Sequence, residues 1–191
     1  MRSPGSYAAV AVAAAVAAAA ACGLLAAGCG HAETFQGGVL RKGDLSVRFG
    51  PVPGSWSPIQ VQGADVAFRD AGRMASILFD VRCHERDGDA PLSALTGHLI
   101  MGTTERDFQK QDTIPFDGRE AMHTLMRAKL DGVPMQYDIY VMKKDGCVYD
   151  LVYVAPPDAF AQGADGFERF ALGLHASSPG PSPTELGSSG P

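Results

Sequence analysis

Charge is almost missing from the opening of this chain: Arg2 is the only Asp, Glu, Lys or Arg before Glu33. The gap is filled by small apolar residues, a run of Ala and Val from residue 8 to 27 with Leu24 and Leu25 near its end. A basic tip, an apolar core and small residues at the exit form the pattern of a secretory signal. The run is long enough to cross a bilayer, so an uncleaved anchor competes with that reading. It is poor in Leu, Ile and Phe, which weighs against a permanent span.

Other absences narrow the function. Basic residues are scattered, with no run longer than two, as at Lys143-Lys144; without Arg2, fifteen Lys and Arg face twenty-one Asp and Glu. Nucleic-acid binding needs a concentrated positive footprint, and this chain has none. No serine lies in a G-x-S-x-G, and the four cysteines form no C-x-x-C, so neither a nucleophile elbow nor a thioredoxin-like redox motif is present. The segment Cys83-His84-Glu85-Arg86-Asp87-Gly88-Asp89 is dense in metal-ligand types but lacks the spacing of an EF-hand loop. A solvated loop that caps the next helix through Asp89 explains it as well. His98, His123 and His175 are scattered, and no titratable groups converge on one spot. The expectation is therefore no enzyme, no metal and no cofactor.

What is present starts at the signal's exit. Leu24-Leu25-Ala26-Ala27-Gly28-Cys29-Gly30 resembles a bacterial lipobox, in which small residues precede a cysteine whose thiol takes a diacylglycerol. Ala26 stands where a larger aliphatic residue is usual, with Leu25 one place further out. Cys22 is a second candidate inside the apolar run. Lipidation at Cys29 makes membrane lipid the first partner and divides the chain into a signal (1–28), a lipidated cysteine with a flexible tether (29–42) and a domain. More than one acyl chain is what makes such an anchor stable. The small, uncharged Gly30 permits outer-membrane sorting, with the domain facing the periplasm.

With Cys22 discarded and Cys29 acylated, Cys83 and Cys147 remain. In an oxidising compartment they pair with each other as a disulfide or stay as small buried thiols.

Along the domain, Leu45 to Phe49 alternates as a strand, and Gly50, Pro51, Pro53 and Gly54 end it. Val66-Ala67-Phe68 reads as a second strand. Ala75 to Cys83 places Ile77, Phe79, Val81 and Cys83 on one face of a third. Pro91 then opens a helix whose Leu92, Leu95 and Leu99 form one stripe. Residues 104–116 read as a short helix or irregular stretch leading into a strand. Residues 119–131 combine a capping-box pattern (Asp117, Glu120) with strand-like alternation. Asp131-Gly132 and Asp145-Gly146 decide for strand, because Asp-Gly is a hairpin signal. A three-strand meander follows, stopped at Pro156-Pro157, and a helix is expected from about Asp165 to Leu174. From Ser177 the chain is nearly all Ser, Pro and Gly, a composition that favours disorder (177–191).

Tyr137 to Val141, the turn Lys144-Asp145-Gly146, Tyr149 through Val154, Ala155-Pro156-Pro157, Phe160 and Phe167-Glu168-Arg169-Phe170 together resemble the C-terminal half of the PsbP-like fold. That fold is shared by PsbP, the Mog-type proteins and bacterial lipoproteins. The resemblance implies an α+β architecture over residues 43–176: an antiparallel β-sheet flanked by helices, a three-layer α/β/α sandwich. It also implies binding or scaffold roles without catalytic residues, and fold analogy alone is weak evidence of function.

Two function classes follow. The first is a non-catalytic cell-envelope lipoprotein that binds a protein partner or helps an assembly, with Arg119, Met122, Met126, Tyr137 and Tyr149 as its binding surface. The second is a small-molecule or lipid carrier, which calls for an apolar cavity between sheet and helix.

Overall fold

The computed structural model describes residues 33–83 and 89–177. In chain order the elements are β1 (Thr34–Gln36), β2 (Val39–Lys42), β3 (Leu45–Arg48), β4 (Ser57–Pro58), β5 (Val66–Asp70), β6 (Ala75–Cys83), α1 (Leu92–Leu99), β7 (Thr103–Phe116), β8 (Arg119–Leu130), β9 (Val133–Lys144), β10 (Cys147–Ala155), α2 (Pro157–Leu172) and β11 (His175–Ser177). Seven strands form the main sheet in the order β4-β5-β6-β10-β9-β8-β7, and a small sheet runs β1-β2-β3-β11. Every pairing in both is antiparallel.

Three Asp-Gly turns set the register of half the main sheet. Asp117, Asp131 and Asp145 have φ of 45°, 50° and 50°, and the glycines that follow have φ of 72°, 81° and 75°. Two successive residues at positive φ give the turn whose twist matches that of a hairpin. The meander therefore has four strands, β7 to β10, not three. Residues 104–116, expected to be a short helix or irregular stretch leading into a strand, belong to one long edge strand with two register irregularities, at Thr104/Asp107 and Phe108/Lys110. Its side chains are exposed from Thr104 to Thr113, so it shows no alternation to read. Bulges and charges of this kind are how edge strands avoid pairing with other chains.

The sheet separates two apolar layers. On one face lie α2 and the small sheet, with Phe49, Phe79, Tyr153, Phe167 and Phe170 in the larger core. On the other, α1 lies over Met126, Tyr137, Ile139 and Val141. The result is an α+β three-layer sandwich. Helix α2 buries Phe160, Gly163, Phe167, Phe170 and Ala171, one stripe at helical spacing; full burial of each Phe contributes about 1.5–3 kcal/mol. Phe170 stacks on Phe49 at 4.8 Å between ring centroids, and the Tyr153 hydroxyl donates to the Phe160 carbonyl at 2.8 Å.

Two expected boundaries move. Helix α2 starts at Pro157, eight residues before the expected Asp165, because proline is tolerated in a first turn whose N–H groups have no intrahelical partner. The stretch read as a tether through residue 42 contains β1 and β2, and Leu40 is fully buried. At Gly50 the backbone passes against the end of α2: its N–H donates to the Phe170 carbonyl at 3.0 Å. A Cβ there would lie 2.0 Å from the Arg169 carbonyl oxygen.

Candidate functional site

The residues expected to form a binding surface do not share one. Arg119 is exposed and donates to Asp145 Oδ1 at 3.3 Å. Met122 is half-buried on the α1 side. Met126 is 0 % exposed and Tyr137 7 %, both in the core under α1, while Tyr149 is 2 % exposed in the core on the opposite face. The methionine stripe is thus core filling. Cys83 and Cys147 are register partners on β6 and β10 and are joined by a disulfide. Cys29, the signal and the Ser/Pro/Gly tail beyond Ser177 lie outside the described residues, as do positions 84–88 of the Cys83–Asp89 segment. Among the described residues no group of three or more His, Cys, Asp and Glu is placed to hold a metal, and no helix is long and apolar enough to cross a membrane.

A concavity that depends on α1 being short is the best-formed candidate. Eight helical residues span about 12 Å, whereas seven strands spread over roughly 29 Å at their usual spacing. Helix α1 packs on β8 and β9, and the same face of β6 and β10 is left half-covered. Strand alternation puts Leu78 and Asp80 of β6 and Asp150, Val152 and Val154 of β10 on that face. Together with Ile139 they line a groove of about 290 Å³. Leu99, Ile100 and Met101 wall it at the end of α1, Val61 to Ala64 at the loop before β5, and Tyr137 and Leu130 on the meander side. Val61, Met101 and Leu130 are 38 %, 69 % and 42 % exposed, so three of the large exposed apolar side chains gather at its rim.

Few polar groups reach this groove, and they differ in kind. Among the described residues its charged lining residues are Asp80 and Asp150. Both carboxylates accept from Arg82, the Asp150 bond at 2.6 Å. Gln62, Thr103 and Tyr137 are its uncharged polar residues. The Tyr137 hydroxyl is itself buried, with no hydrogen-bond partner among the described residues, and burial pushes the phenol's pKa up. The first described residue lies close by. Lys42 donates to Asp65 Oδ1 at 2.6 Å and to the Val81 carbonyl at 2.9 Å, and the Glu33 carboxyl lies near both side chains. Burial, with Asp65 beside it, raises the pKa of Glu33 against the pull of Lys42. Asp65 directly follows the groove wall Val61–Ala64.

A second, shallower concavity of about 250 Å³ surrounds the disulfide and includes Arg82, Arg119, Lys143 and Lys144. Its cations are engaged: Lys143 donates to the Ala90 carbonyl at 2.9 Å, and Lys144 to Asp117 Oδ2 at 2.8 Å and the Ala176 carbonyl at 2.9 Å. Asp117 also accepts from the Ala176 N–H and from His175 Nδ1, each at 2.8 Å. Burial pushes its pKa up, but these hydrogen bonds outweigh burial and hold it below the ordinary carboxylate value. This cluster ties β11 to the β7–β8 turn. His123 is half-buried, stacked on Tyr140 at 4.3 Å and 2.7 Å from Asp138.

Sequence reasoning missed the groove's own residues. Leu78, Val152 and Val154 read as ordinary strand apolars, and only the length of α1 against the number of strands would have shown that their face is not covered.

No family model matches the chain and no curated protein matches it in sequence. Solved structures do resemble it. The cyanobacterial PsbP (CyanoP) of Synechocystis sp. PCC 6803 superposes with a TM-score of 0.53 at 15 % identity, over 70 % of this chain and 87 % of that one. LpqN of Mycobacterium tuberculosis, described as involved in cell envelope biogenesis, does so with 0.54 at 13 % identity, over 78 % and 90 %. The Saccharomyces cerevisiae Ran-binding protein Mog1p gives 0.49 at 13 % identity, over 75 % and 94 %. At this identity the likeness establishes the PsbP-like fold, and the function has to be read from the site.

Proposed function

We propose that this chain is a non-catalytic, lipid-anchored module of the cell envelope that holds an apolar group in the groove between α1 and the main sheet. The observation that carries the reading is the half-covered face of β6 and β10: a concave apolar surface with exposed Val61, Met101 and Leu130 at its rim. Preformed apolar concavities with a few convergent polar groups are the usual form of small-ligand sites. Of the two function classes, carrier and protein-binding module, the geometry favours the carrier, because most of the residues of the alternative surface are buried.

Four residues after Cys29 the described chain begins, at Glu33. An acyl anchor at Cys29 would hold the domain within about 14 Å of the membrane surface. The disulfide fits an oxidising compartment, and the envelope role stated for LpqN agrees with it. The small, uncharged Gly30 permits sorting to the outer membrane, with the domain facing the periplasm. Replacement of Cys29 by Ser should release the protein from the membrane fraction and abolish labelling with palmitate; retention on the membrane would reject the anchor.

The groove is tested by titrating the full chain carrying Cys29→Ser with N-phenyl-1-naphthylamine, whose fluorescence rises in apolar sites. Saturable one-to-one binding is expected, lost in Val152→Phe, where the added ring occupies the groove. Binding that is absent, or unaffected by that substitution while the melting temperature holds, would reject the site.

A further inference from the structure

We propose that Asp131, in the turn between β8 and β9, is a site of spontaneous isomerisation to isoaspartate, and that carboxyl contacts at Asp117 and Asp145 protect the two sister turns. The three hairpin turns supply their own comparison. All are Asp-Gly with both residues at positive φ, and a Cβ placed on any of the three glycines would meet nothing within 4 Å. Backbone conformation and open space are the same in each. What differs is the hold on the carboxyl.

Asp117 is the most restrained: its carboxylate accepts from Lys144 Nζ, His175 Nδ1 and the Ala176 N–H, each at 2.8 Å. Asp145 has one exposed ion pair, with Arg119 at 3.3 Å. Asp131 is exposed, and its side chain makes no hydrogen bond or ion pair among the described residues. Its carboxyl is therefore free to turn toward the next peptide nitrogen. That nitrogen belongs to a glycine, which has no Cβ to obstruct the approach. It also lies beyond Leu130 and Val133, the last pair of the β8–β9 ladder. Of the other Asp-Gly pairs, Asp165-Gly166 lies within α2 and Asp87-Gly88 includes residues outside those described.

The step needs only solvent. The Gly132 nitrogen bonds to Asp131 Cγ and closes a five-membered succinimide; its proton leaves with one carboxyl oxygen and a solvent proton as water. Water then adds at one of the two ring carbonyl carbons and breaks that carbon's bond to nitrogen. Opening at Cγ restores aspartate. Opening at the main-chain carbonyl leaves isoaspartate, with mass and charge unchanged and one more carbon in the backbone. Loop length fixes register in a hairpin, so the product alters the turn beside Leu130, a residue of the groove wall.

The test ages the full chain carrying Cys29→Ser in warm buffer at pH 7, folded and in urea, and locates isoaspartate by electron-transfer fragmentation of its peptides. Among the three turns of the folded protein, isoaspartate should accumulate fastest at Asp131. It should form about 2- to 5-fold more slowly at Asp145, the worth of one exposed ion pair. At Asp117, which must give up charge-assisted hydrogen bonds, it should form at least about 100-fold more slowly. In urea the three rates should converge. Arg119→Ala, which releases Asp145, should raise its folded rate to that of Asp131. Isomerisation of folded Asp117 as fast as Asp131, or none at folded Asp131 where urea yields it, would overturn the inference. So would an order that persists in urea, which would trace it to sequence rather than fold, or an Asp145 rate unmoved by Arg119→Ala.

Discussion

Removing one hydroxyl from each of two buried tyrosines should have opposite effects. Tyr137 and Tyr153 are 7 % and 0 % exposed, and each becomes Phe by the loss of a single oxygen. At Tyr153 that oxygen donates to the Phe160 carbonyl at 2.8 Å, so Tyr153→Phe gives up a satisfied buried hydrogen bond, about 1 kcal/mol. The Tyr137 oxygen is buried with no partner among the described residues. Desolvating such a group costs about 1–3 kcal/mol in the folded state, and Tyr137→Phe should recover about 1 kcal/mol of it. In a domain of this size the two variants should melt about 3 °C below and about 3 °C above the parent. Urea denaturation at pH 7, followed by circular dichroism without added lipid, would show the same order in the midpoints with an unchanged slope. If Tyr137→Phe is destabilised as much as Tyr153→Phe, the Tyr137 hydroxyl has a partner.

Replacing both Cys83 and Cys147 by Ala frees a loop of 64 residues, which by loop-closure entropy should lower stability by about 4 kcal/mol; a calorimetric loss below about 1 kcal/mol would show that the bond constrains little. Asp117→Asn keeps a side chain that tolerates the turn's positive φ but removes the charge bound by Lys144 and the Ala176 N–H; it should cost about 2 kcal/mol at pH 7. Because the folded pKa of Asp117 is depressed, its contribution is present above the unfolded value of about 3.9 and is lost as pH falls through the lower folded value. The gap between parent and Asp117→Asn should therefore narrow below pH 4, and a gap that widens there would contradict the assignment. Gly50→Ala should lower the melting temperature by several degrees, since its Cβ would meet backbone atoms of α2 that cannot turn aside; unchanged melting would mean that the end of α2 can shift.

Much of the fold was legible because local signals agreed. Ile77, Phe79, Val81 and Cys83 alternate, Asp131-Gly132 and Asp145-Gly146 specify hairpins, and Phe167 and Phe170 mark the face of the last helix. Asp117-Gly118 carries the same hairpin signal, but Asp117 also fits a helix cap, and the exposed strand before it has no alternation to read. Pro156-Pro157 stops a strand and starts a helix, and a stop signal alone does not distinguish the two. Strands β1 and β2 are short and half polar, so their place in a sheet depends on partners distant in sequence. The site was less legible than the fold. In Tyr137 to Met142 every side chain is buried because both faces of that central strand are covered, and a run buried on both sides looks the same as an exposed apolar patch. Which face of a strand stays open is decided by the reach of an eight-residue helix, a property of three dimensions.

The bond between Cys83 and Cys147 also determines how the molecule carries load. Helix α1 and strands β7 to β9 all lie inside the loop it closes. A pull applied between Glu33 and Ser177, the two ends of the described chain, passes from β6 to β10 through the two sulfurs and bypasses everything between. About 220 Å of chain contour is withheld from extension, and a protease cut within the loop leaves one covalent molecule. Under tension, then, the part of the domain that carries Tyr137 and walls the groove is kept out of the line of force.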